Sequence, residues 1–231
     1  MSYFFASCIE AGPENCALAA TGRTAQEMEQ DIWRFFDDLR AAPIAVGTAV
    51  LDLLSMKGFL LEQLKVTYGW PDLAEILDVI VYGSEAMKNA LLDALVGSLS
   101  GGTTAYTTTF PVLQSQWGIH CGDRIPRLNS FEDVEPTFNR LFNTSRLVGD
   151  LVSWITAHCA QWPWHAKETY MGDFHVKTKN PILVASNTRD AHTPLRSARN
   201  ISSSFEGSGL LEVNGTGVSP ADLSCHRDET H

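Results

Sequence analysis

The chain has 231 residues, enough for one large domain or two small ones. Of these, 44% are apolar, the fraction expected of a protein that buries a sizeable core. The formal net charge is −10 and the pI about 5.1, which argues against nucleic acid or an anionic membrane as the main partner, because phosphate binding needs a basic face.

No stretch reaches the ~18 to 20 uninterrupted apolar residues of a membrane span. The N-terminus "MSYFFASCIEAGPENC" has neither a basic n-region nor a long apolar core, so it does not read as a signal peptide. Asn-x-Ser/Thr acceptor motifs stand at Asn143, Asn200 and Asn214. The cysteines are Cys8, Cys16, Cys121, Cys159 and Cys225. Cys8 and Cys16 flank a Gly-Pro turn, where a disulfide can close a short loop; five buried thiols is the alternative.

In chain order, the first half reads as helical. "TAQEMEQDIWRFFDDLR" opens with Thr24 three residues before Glu27, a capping-box pattern. Met28, Ile32, Phe35, Phe36 and Leu39 then share one helical face. "APIAVGTAVLDLLSMKGFLLEQLK" is apolar and punctuated by Pro43 and Gly58. Two further helices follow in residues 69–99, with Pro71 in the first turn of one and Ser84 as N-cap of the other. The Gly/Thr-rich "SLSGGTTAYTTTFP" reads as a flexible loop.

The second half differs. "EPTFNRLFNTSRLVGDLVSWITAHC" is helical, and the apolar, β-branched run "NPILVAS" reads as a strand buried on both faces. "TPLRSARNISSSF" follows as a helix with Thr193 as N-cap and Pro194 at N1, and "GLLEVNGTG" as a strand ending in a glycine turn. That order is the end of an α/β sheet with right-handed crossovers. About two convincing strands are offered, against the ~4 to 6 of a usual sheet, so further strands belong on its edge.

Open α/β sheets carry their active groups on loops at the carboxyl ends of strands, and Asp190 stands at such an end. On spacing alone it is equally a plain acid preceding a helix. His192 adjoins it and is expected on the surface. His120, His158, His165 and His175 form no pattern, and the Cys and His spacings offer no zinc site, so no metal or cofactor is called for. Trp154, Trp162 and Trp164 are expected to pack in the core.

The run from Trp154 to Phe205, with Trp154, Cys159 and Trp162, then "KTKNPILV", an acid followed by Thr-Pro and an Ala-Arg in the next helix, resembles the tripeptidyl-aminopeptidase-like serine peptidases. "FFASCIEAGPENCALA", "GWPDLAEIL" and "IHCGD" resemble segments of the same family. The resemblance implies the C-terminal portion of an α/β-hydrolase sheet (residues 119–231) preceded by a mostly helical cap (residues 1–118). It implies a secreted enzyme cutting short peptides from a free N-terminus, with Asp190 as the triad acid. The family's serine lies on a Gly-x-Ser-x-Gly elbow, which this sequence lacks; "GSLSGG" at 97–102 has the wrong spacing and follows a helix. Val218 follows Gly217 where the family has a Gly-His-Cys turn, and Cys225 matches that cysteine's downstream partner. His226 and His231 are the remaining substitutes for the base. The implied reading is part of a serine hydrolase, inactive alone and completed by a missing N-terminal half. The alternatives are a peptide-binding or interaction module derived from a hydrolase, and a truncated or mis-spliced product.

Overall fold

Thr24 shows how the helical part is built. Its hydroxyl accepts from the Glu27 amide (3.3 Å), while the Glu27 carboxylate accepts from the Thr24 amide (2.8 Å), so the expected capping box is complete. It opens the long helix α2 (Ala25–Ala41), which buries Met28, Ile32, Phe36 and Leu39; Phe35 lies at the edge of that face, half-buried. The computed structural model describes residues 1–46, 49–100, 115, 117–123, 127–170 and 172–218. These fall into two compact units: one holds Ser2–Phe59 and Ala74–Met171, the other Leu60–Leu73 and Gly172–His231 together with Met1.

In the first unit, α1 (Ser2–Ala11) packs on α2, and a Cys8–Cys16 disulfide closes the loop between α1 and a 3₁₀ turn at Ala17–Thr21. This settles the choice between thiols and disulfide at that pair. The apolar stretch after α2 is not wholly helical: β1 (Ile44–Val46) and β2 (Ala49–Leu51) pair antiparallel before α3 (Leu53–Leu64) begins. Short β-branched runs cannot be told from buried helix by periodicity, which is why the hairpin was not expected. Asp52 accepts from the Ser55 amide (2.7 Å) at the start of α3, and Gly58 lies within that helix instead of breaking it.

α4 (Trp70–Tyr82) carries Pro71 in its first turn, and α5 (Glu85–Ser100) starts with Ser84 accepting from the Met87 amide (3.3 Å), both as expected. α5 runs through Ser100, so the first residues of the expected loop are helical; residues 101–114 lie outside the described residues. The helical region after residue 130 is two helices, α6 (Phe131–Thr144) and α7 (Gly149–Ala160), packed on each other. Gly149 permits that packing: a Cβ there would stand 2.4 Å from the Leu141 carbonyl. A second disulfide, Cys121–Cys159, joins the helical residues 117–123 to α7. Neither the α6–α7 break nor this pairing was expected.

Two buried polar centres tie the helices of this unit together. Asp31 accepts from Arg23 (2.8 Å), Arg34 (2.7 Å) and the Tyr82 hydroxyl (2.8 Å). Burial, and then Asp31 itself, push the Tyr82 phenol above its usual range, so it stays a donor. Lys57 on α3 donates to the Asp150 carboxylate (2.6 Å) and the Arg146 carbonyl (2.9 Å). Trp154, Trp162 and Trp164 do not enter the core. Trp154 is 44% exposed and Trp164 65%, and they belong to a surface run of rings with Trp117 and His158. Arg127 donates to the Trp162 (2.8 Å) and Trp164 (3.1 Å) carbonyls and so draws that segment along the surface.

In the second unit, β3 (Leu183–Arg189), α8 (Leu195–Ser204) and β4 (Gly209–Thr216) form a parallel βαβ unit with Leu183 opposite Gly209 and Arg189 opposite Thr216. Glu212 on β4 is held by a two-pronged bond from Arg199 on α8 (2.7 and 2.8 Å), which identifies the face that α8 covers. The other face carries Leu183, 70% exposed, and Leu211, 50% exposed. That face is open at the Leu183 end among the described residues, while Asn187 on the same face is fully buried; the apolar run predicted burial of both faces throughout. No helix among the described residues is long and apolar enough to cross a membrane.

Truncating either partner of the Lys57–Asp150 pair leaves the other charge buried and unpaired, so Lys57→Ala or Asp150→Ala should each cost about 3–5 kcal/mol in urea unfolding. A shift below 1 kcal/mol would place the stability of this unit elsewhere. The Thr24 backbone N–H, and then its hydroxyl, hold the Glu27 carboxyl below the usual carboxylate range. The folded value is therefore the lower one. The stabilisation is present above the unfolded pKa and is lost as pH falls through the folded one. Thermal melts across the acid range should show a gap between the wild type and Glu27→Gln that closes on that descent.

Candidate functional site

The carboxyl ends of β3 and β4 are adjacent because the strands are parallel and stay paired to their ends, across a register shift between Asn187 and Arg189. The Arg189 carbonyl accepts from the Gly217 amide (3.0 Å), one residue past the Arg189–Thr216 pair. Asp190 leaves β3 at this rim, and Gly217 and Val218 leave β4 beside it. The chain turns at Gly217 with φ +106°, a conformation that side chains with a Cβ rarely adopt. A Cβ there would also stand 3.1 Å from the Lys65 carbonyl, which accepts from the Val218 amide (3.2 Å).

Asn187, three residues before Asp190, fixes this rim. It is fully buried, and its Nδ2 donates to the Gly217 carbonyl (2.8 Å). Its Oδ1 has no hydrogen-bond partner. A buried amide with one end satisfied costs free energy, and in exchange it holds the end of β3 against the turn after β4. The sequence reading missed this residue; its one signal is an amide directly after the apolar run that opens the strand.

The Asp190 carboxylate is organised by its own loop. Oδ1 accepts from the His192 and Thr193 amides (2.7 Å each), and Oδ2 accepts a short bond from the Thr193 hydroxyl. These bonds orient the group and leave an acceptor position open on Oδ2, since each carboxylate oxygen carries two lone pairs. The helix behind the loop starts one residue later than expected, at Leu195 with Pro194 as N-cap. Thr193 serves Asp190 instead of the helix end, because its hydroxyl and amide are both taken by the carboxylate.

The histidines do not gather here. His192 is exposed, as expected, and it is its backbone amide, not its ring, that meets Asp190. His120, His158, His165 and His175 are exposed, and His158 stacks edge-on with Trp117. His226, His231 and Cys225 lie outside the described residues. Of the elbow decoy, residues 97–100 are the last turn of α5.

A strand, an acid on its exit loop, a covering helix and a parallel strand ending in a glycine turn define an α/β unit. Residues 145–229 match the family model described as TAP-like protein, a similarity to the C-terminal region of tripeptidyl-aminopeptidase-like α/β-hydrolases. No curated protein matches the chain.

Removing the Asn187 amide unties the rim and leaves the Gly217 carbonyl buried without its donor. Asn187→Ala should lower unfolding free energy by about 1–3 kcal/mol. An unchanged denaturation midpoint would show that the rim does not depend on that bond.

Proposed function

We propose that this chain is the acid-bearing part of a serine hydrolase that acts on short peptides with a free N-terminus, exported from the cell. In this reading residues 119–231 are the C-terminal α/β part and residues 1–118 the helical cap. The observation that carries it is Asp190, oriented by its loop on the same rim as the Gly217–Val218 turn, inside the segment that matches the TAP-like family.

Asp190 would fix the tautomer of a histidine and stabilise the imidazolium formed when that histidine takes a serine's proton. Serine attack on the peptide carbonyl would give an acyl-enzyme, which water then hydrolyses. The sequence has no Gly-x-Ser-x-Gly elbow, and Val218 stands after Gly217. The nucleophile would come from a further segment, with its strands on the sheet edge. Loss of a nucleophile or base from a triad removes on the order of 10⁶ in rate. The chain by itself is therefore expected to be inactive. Val218, an apolar residue at the base position, favours a second reading: a hydrolase-derived module that binds peptides without cutting them.

The purified chain should give no turnover on tripeptidyl anilides. Turnover that Asp190→Ala abolishes would overturn the inactivity and keep the role of the acid; turnover that survives Asp190→Ala would remove that role. Peptide binding without cleavage, measured by calorimetry, would select the second reading. An in-frame upstream coding segment with a Gly-x-Ser-x-Gly motif would select the first.

A further inference from the structure

We propose that Asn143 is the acceptor of an N-linked glycan, an inference that rests on the export reading above. Asn143, Thr144 and Ser145 form an acceptor motif at the end of α6. Asn143 is exposed, and its amide takes part in no hydrogen bond among the described residues. The helix stops there: Ser145 is extended (φ −149°, ψ 116°), so the motif lies across a helix end and not within a regular element. The Ser145 hydroxyl oxygen accepts from the Val148 amide (3.2 Å), and its proton remains available.

The other two motifs are differently placed. Asn214 lies in β4, and its Oδ1 accepts from Arg189 (3.2 Å) and Thr188 (3.5 Å). Asn200 lies in the middle of α8, and the hydroxyl of its motif residue Ser202 is bonded to that of Ser208 (3.0 Å). A bulky, solvated sugar is best tolerated where the acceptor side chain is free and the chain leaves its regular element. Among the described residues Asn214 is hydrogen-bonded, Asn200 is free but lies within a helix, and Asn143 is free at a helix end.

The disulfides are compatible with this. Cys8–Cys16 and Cys121–Cys159 fit an oxidising compartment, and the eukaryotic secretory lumen, where glycans are transferred, is one such compartment. In the transfer, the Asn143 amide nitrogen attacks C1 of a lipid-pyrophosphate-linked oligosaccharide. An N–C bond forms, the C1–O bond breaks, the lipid pyrophosphate leaves and the nitrogen gives up one proton. The attached sugar would cover the exposed ring of the neighbouring Phe142.

The test directs the full chain through the secretory pathway of a eukaryotic host. The product should run as a single heavier band that a peptide-N-glycosidase collapses, and peptide mapping should show Asn143 converted to Asp by that amide hydrolysis. Asn143→Gln and Ser145→Ala should each abolish the heavier band, and Ser145→Thr should keep it. A heavier band that persists in Asn143→Gln would overturn the proposal, as would a secreted chain with both disulfides and no sugar at Asn143. A product whose Cys8, Cys16, Cys121 and Cys159 stay reduced in that lumen would overturn the export reading and this proposal with it.

Discussion

One buried amide governs the candidate site. Asn187 crosses from β3 to the Gly217 turn inside a region closed to water, where a single hydrogen bond carries more weight than on the surface. Gly217 must bend into a conformation open to glycine, and it must come close to the Lys65 carbonyl. With those two conditions met, the exit of β4 is fixed beside the exit of β3. The geometry around Asp190 follows from that tie, since the Arg189 carbonyl beside it is bonded to the same turn.

Asp190 serves its own loop first, and the proposed role as a triad acid would draw on the same group. Its loop needs it, because two amides and a hydroxyl have no other partner at that bend. A catalytic acid needs the same bonds, because an unheld carboxylate cannot orient an imidazole. In the proposed role, local structure and chemistry would draw on the same contacts. On the sheet, Leu183 and Leu211 stay exposed on the face whose other end is closed around Asn187.

The helical unit is organised differently, around charges taken out of water in groups. Asp31 gathers two guanidinium groups and a phenol, and Lys57 finds both a carboxylate and a carbonyl, so each buried charge has its polar partners at hand. Two disulfides add constraint by restricting the unfolded chain, the longer loop contributing more. The tryptophans that look like core residues by composition lie on the surface, and Arg127 holds the backbone carbonyls of Trp162 and Trp164 there.

Much of this was written in short-range patterns. The capping box at Thr24 and Glu27, the Ser84 cap, Pro71 in a first turn, and the strand, acid, helix, strand order were legible because each depends on neighbours within a few positions. The acid's place at a strand exit was legible for the same reason. The hairpin at residues 44–51, the Cys121–Cys159 bridge and the split between α6 and α7 were not. The first is two runs too short for periodicity to tell strand from buried helix, and the others require a distant partner or a close approach such as that of Gly149 to Leu141. Asn187 belongs with these. By sequence it is one amide at the end of a strand; only folding brings a glycine carbonyl thirty residues later within reach of its nitrogen and makes it the pin of the site.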